Sequence, residues 1–87
     1  MRKEGKIVEK TEIYETLKRV LEKIGAEEEI VPEASLMDDL GLESLQIYEM
    51  LADLEAALKI KIPERVLMRV ETVQDMEQEI YRIMREG

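Results

Sequence analysis

The run Asp38-Asp39-Leu40-Gly41-Leu42-Glu43-Ser44-Leu45 gathers three carboxylates and one hydroxyl around a single glycine. Its serine has no base to activate it, because the chain contains neither His nor Cys. Ser-His-Asp triads, thiol nucleophiles and zinc sites built on those residues are therefore excluded. Two other roles remain for Ser44. Serine is among the preferred N-cap residues of helices, and Ser44 stands where a polar stretch turns into a helical pattern. It could also accept a phosphorylated group, since a phosphodiester there would meet free backbone N–H groups at the positive end of the helix dipole. That end contributes about 0.3–1 kcal/mol, and Asp38, Asp39 and Glu43 oppose it. Electrostatics leave both roles open.

The elements around this run follow from apolar spacing. Ile13, Leu17, Val20, Leu21 and Ile24 predict a helix from about Val8 to Ile24, with Tyr14 beside the stripe and Gly25 as its stop. The period fades between 26 and 43, where Pro32 breaks it. Leu36, Met37, Leu40 and Leu42 are expected to pin that long loop to the core. Ile47, Met50, Leu51, Leu54 and Leu58 predict an inward stripe on a second helix from Ser44 to about Leu58. The opposite face carries Leu45, Tyr48, Glu49, Ala52, Glu55 and Ala56. Pro63 opens a short helix reaching about Met68 or Val70. Thr72 and Asp75 resemble a capping box for a last helix through about Met84, facing inward with Val73, Met76, Ile80, Ile83 and Met84. The fold class read from this pattern is all-α: three longer helices, a short third one, and a long loop after the first. Residues 1–87 read as one domain, with 1–7 as a flexible N-terminal extension.

The net charge of −8 is concentrated. Residues 26–58 hold ten acids and no base, while the segments on either side are close to balanced. A one-sided field of this kind favours basic protein partners over nucleic acid. No run of eighteen apolar residues occurs, and Met1 to Lys6 do not begin a signal-peptide pattern. A cytoplasmic monomer is the expectation. Asp38 and Asp39 lack the spacing of a calcium loop, so no metal is expected.

Asp39, Leu40, Gly41, Ser44 and Leu45 match the attachment pattern of acyl carrier proteins, usually Asp-Leu-Gly-x-Asp-Ser-Leu, with Glu43 in place of the second Asp. The resemblance continues through Ala34-Ser35-Leu36, the acids Glu49 and Glu55, Ile62-Pro63-Glu64 and Glu71-Thr72-Val73-Gln74, covering roughly residues 10–84. It implies a carrier rather than an enzyme. A phosphopantetheinyl transferase would place 4′-phosphopantetheine on Ser44, and the arm's thiol would hold an acyl chain as a thioester. The resemblance also implies docking through Asp39, Glu43, Leu45, Tyr48, Glu49, Ala52 and Glu55 to basic patches on acyl-transferring and synthase enzymes. The pathway stays open among fatty acid, polyketide, lipid A and other envelope lipids.

The sequence also departs from that family. Phe is absent, and Leu36 and Leu58 stand where an aromatic is frequent. Tyr48 replaces a small aliphatic residue, and Arg65 and Arg69 make the third-helix region unusually basic. These features imply a specialised carrier. Met50, Met76 and Met84 read either as an adaptable lining for a chain or as ordinary core filling. Two alternatives remain: a peptidyl or D-alanyl carrier with the same arm, and an unmodified acidic interaction module. The single Gly41 followed by Leu42-Glu43, where peptidyl carriers commonly show Gly-Gly, favours an acyl cargo.

Overall fold

Apolar stripes at helical spacing become three α-helices and one short 3-10 helix in the computed structural model, which describes residues 10–86. Helix α1 spans Lys10–Ile24, α2 spans Ser44–Leu58 and α3 spans Val73–Glu86. The 3-10 helix spans Glu64–Arg69. The expected helix start at Val8 and the expected extension over 1–7 lie outside the described residues. Helix α1 packs on both α2 and α3. The all-α class holds: extended pairing among the described residues is confined to one bridge between Ser35 and Thr72.

The inward stripes are the ones that the spacing predicts. Ile13, Leu17 and Leu21 from α1 meet Met50 and Leu54 from α2, and Val73, Met76 and Ile80 from α3, all fully enclosed. Ile24, Leu58, Ile83 and Met84, also expected to face inward, are only half-buried against this cluster. Burying each such side chain contributes about 1.5–3 kcal/mol. Met50 and Met76 are core filling, with no exposed surface.

The loop from 26 to 43 is held at both ends and in the middle. Gly25, at φ +114, closes α1, and its N–H donates to Leu21 O. The Tyr14 hydroxyl reaches Ile30 O at 3.1 Å, so this tyrosine anchors the loop as well as flanking the α1 stripe. Ile30, Ala34, Leu36, Leu40 and Leu42 are buried. Met37 is not: it is 54% exposed, contrary to its expected role as an anchor. The turn that buries Leu36 and Leu40 carries Met37 outward between them.

The loop is also tied to the start of α3. Leu36 N donates to Glu71 O, Val73 N to Ala34 O and Gln74 N to Pro32 O, at 2.9–3.0 Å. There the predicted capping box is present, with Asp75 N donating to Thr72 Oγ1 at 3.1 Å. The Asp75 carboxylate accepts from Glu71 N and Thr72 N, and these two bonds hold its pKa below the ordinary carboxylate range. Stability from this group is complete above the unfolded-state pKa and is lost as pH falls through the lower folded-state value. Asp75→Ala should cost about 1 kcal/mol near neutral pH, read as a fall of about 4–8 °C in Tm. The gap between the two proteins should narrow on acidification below the ordinary carboxylate range. A gap that stays constant down to the acid transition would show that the cap contributes nothing.

A feature without a sequence signal fixes the 3-10 helix. Glu79 on α3 is only 7% exposed and pairs with Arg69 Nη1 at 3.4 Å and Arg82 Nη2 at 3.3 Å. Arg69 therefore staples the 3-10 helix to α3, while Val66 buries the other side of that turn.

Candidate functional site

Ser44 is the first residue of α2 and is exposed. It is not the N-cap. That position belongs to Glu43, whose extended backbone lets its N–H donate to Gln46 Oε1 at 2.9 Å. Gln46 also donates from Nε2 to Ile24 O at 3.2 Å, binding the start of α2 to the end of α1. A Gln three residues after an acidic N-cap is a capping-box pattern, and it was the signal available for this arrangement. Among the described residues, no group holds the Ser44 hydroxyl by a hydrogen bond.

The local backbone suits an esterified phosphate. The first amide to bond along the helix is Ile47 N, donating to Glu43 O at 2.9 Å. The amides of Ser44 and Leu45 precede that bond, at the positive end of the dipole. Of the three nearby carboxylates, Asp39 is committed to the loop, accepting from Ser35 N at 2.7 Å. Ser35 is likewise engaged: its Oγ accepts from Asp38 N, and its carbonyl accepts from Asp39 N and Leu40 N. Gly41 adopts φ +69 beneath the Glu27 carboxylate, a conformation and a clearance that suit glycine.

Beside Ser44 lies an open cavity of about 330 Å³. Leu36, Met37, Ile47, Leu67 and Val70 supply its apolar surface, and Ser44 and Tyr48 lie on its α2 side. The 3-10 helix thus forms the wall opposite α2, in the position that the Arg69–Glu79 pair fixes. Leu67 and Val70 were not singled out in the sequence, because a six-residue 3-10 helix and its C-cap are too short for a periodicity to reveal a wall residue.

The residues expected to dock partners divide. Leu45, Tyr48, Glu49 and Ala52 are exposed along one side of α2, with Asp39 and Glu43 exposed at its approach. Leu45 is 77% exposed and Tyr48 47%, so Tyr48 is not a core residue. Glu55 differs. It is half-buried, and its Oε2 accepts from Ile62 N at 2.7 Å, fastening the segment that leads into the 3-10 helix. The neighbouring acid Asp53 pairs with Lys23 of α1 at 3.6 Å. Arg65 is exposed, whereas Arg69 is tied to Glu79.

Comparison with known proteins points the same way. A family model described as "Phosphopantetheine attachment site" matches residues 11–80. The acyl carrier protein of Syntrophobacter fumaroxidans is 36% identical over 58 residues, covering 66% of this chain and 72% of that protein. The acyl carrier protein of Thermotoga maritima is 34% identical over 67 residues, covering 75% of this chain and 83% of that one.

Proposed function

The chain belongs to the acyl carrier protein family, non-enzymatic carriers built around a phosphopantetheine attachment domain, and on that premise we propose that Ser44 is the attachment residue. The observation that carries this assignment is an exposed, unheld hydroxyl on the first residue of α2, at the rim of an apolar cavity. A transferase would supply the base that the chain lacks. The Ser44 oxygen then bonds to the arm's phosphorus, its proton passes to that base, and the adenosine bisphosphate of coenzyme A leaves. When bound, the arm supplies a thiol for thioester formation, which explains how a chain without Cys can handle acyl groups.

What remains for the protein is presentation. The unbonded amides of Ser44 and Leu45 would be available to the arm's phosphate, and the cavity would offer the cargo an apolar surface. The cargo is an acyl chain, passed among enzymes of fatty acid, lipid or polyketide synthesis. Intact mass after incubation with coenzyme A and a broad-specificity phosphopantetheinyl transferase tests the reading. One added arm per chain is expected, and an unchanged mass would leave only an acidic interaction module.

Recognition rests on the exposed side of α2, with Glu49 as its steering charge. Glu49→Lys should lower kcat/KM for arm transfer about tenfold at low ionic strength, with the deficit closing as salt rises. Glu55→Gln should behave differently. It weakens the bond to Ile62 N and should lower stability, leaving the salt dependence of transfer unchanged. If both variants lose activity with the same salt dependence, Glu55 steers as well and its loop contact is incidental.

A further inference from the structure

The cavity beside Ser44 has two unlike rims. On the loop side stands Met37, an unbranched and half-exposed side chain that can move aside at little cost. On the α2 side stands Tyr48, one helical turn beyond Ser44 and on the same face. A tyrosine ring is rigid, with two side-chain torsions, and it is wide. Its hydroxyl lies near the carboxylate of Glu64, the first residue of the 3-10 helix. The Glu64 carboxylate raises the Tyr48 pKa above its ordinary value, and the hydroxyl is protonated at neutral pH. The ring therefore stands at the gap between its own helix and the 3-10 helix that faces it. The facing wall is itself fixed, because Arg69 pairs with the buried Glu79.

We propose that Tyr48 is the specificity-determining residue of this carrier, its ring setting the width of the cavity mouth so that straight apolar chains enter and branched or aromatic ones stay outside. This inference rests on attachment at Ser44. The space beyond the mouth is ample: an apolar cavity of about 150 Å³ takes up benzene, and this one is about 330 Å³. Walls of Leu36, Ile47, Leu67 and Val70 reward any apolar cargo, whatever its shape. Volume and lining therefore do not discriminate by shape, and the rigid rim does. Met37 yields too easily to do so.

The test uses the full chain loaded by a broad-specificity transferase from two synthetic thioesters, straight-chain hexanoyl-coenzyme A and benzoyl-coenzyme A. Intact mass first confirms loading, and the rate of thioester cleavage by hydroxylamine then reports shelter. Each rate is divided by that of the matching acyl-coenzyme A, which removes the intrinsic reactivity of the ester. In the wild type, hexanoyl should be protected and benzoyl should react as in free solution. Tyr48→Val opens the mouth and should raise relative benzoyl protection about tenfold, the scale on which pockets discriminate small changes of apolar shape. Tyr48→Phe keeps the ring and loses the hydroxyl near Glu64, so it should fall between the other two. Circular dichroism should show unchanged helicity in both, since Tyr48 lies outside the core. The same hexanoyl-to-benzoyl ratio of protection in all three proteins would overturn the gate alone. Failure of the wild type to load at all would overturn the attachment reading, and the gate with it.

Discussion

Replacing Ser44 by Ala should abolish arm transfer completely and leave the fold as stable as before. The loss follows from chemistry, since the only other serine cannot substitute. Ser35 spends its hydroxyl on Asp38 N and its amide on Asp39, inside a turn whose neighbours Ala34 and Leu36 are buried. The unchanged stability follows from position. An N-cap serine contributes about 1 kcal/mol through its side-chain bond, but Ser44 is one residue inside the helix and makes no such bond among the described residues. Alanine is also the best helix former. A Tm within a degree or two of wild type, together with an unmodified mass, is the expected pair of results. A drop of about 4–8 °C would return Ser44 to the capping role. Modification that persists in Ser44→Ala and disappears in Ser35→Ala would move the attachment site to the loop.

How much of this was legible beforehand depends on whether a residue's partner is near it in sequence. The stripes of α1, α2 and α3 could be read directly, because helical burial repeats every three or four residues and each stripe faces the same core. The Thr72–Asp75 box was legible for the same reason, its partners being three residues apart. Ser44 stood out only through a motif. Helix electrostatics left capping and modification open, and the family pattern was the signal that favoured modification. What stayed hidden were contacts across the fold. Gln46 bonding to Ile24 O, Glu55 accepting from Ile62 N and Glu79 pairing with Arg69 each join segments with no local mark of pairing. The end of α2 at Leu58 was legible, but its closure was not: Lys59 is left-handed, at φ 58, where a glycine would have been the usual sign. Glu55 shows the consequence for function. An acid on the predicted outer face looked like a steering charge, and it proved to be half-buried with a backbone partner.

The same distinction governs the loop that delivers Ser44. Between the end of α1 and the start of α2 no regular helix holds the chain, so the position of the serine depends on a few buried side chains. Leu42 lies two residues before it, 2% exposed, with its N–H donating to Leu36 O at 3.1 Å. Leu42→Ala should cost about 2–5 kcal/mol, the range for removing a buried leucine side chain from a packed core. In a small domain whose whole stability is about 5–15 kcal/mol, that is a large share. Tm should fall by more than about 10 °C. Met37→Ala provides the contrast. Sequence alone placed Met37 among the anchors, but it is more than half exposed, and its loss should change stability by less than about 0.5 kcal/mol. Transfer of the arm well below both melting points should then separate placement from stability. Leu42→Ala should be modified more slowly even when fully folded, because the void it leaves lets the turn before Ser44 shift. Met37→Ala should be modified at the wild-type rate. Equal destabilisation by the two substitutions would mean that burial along the loop is not what fixes the serine at the head of α2.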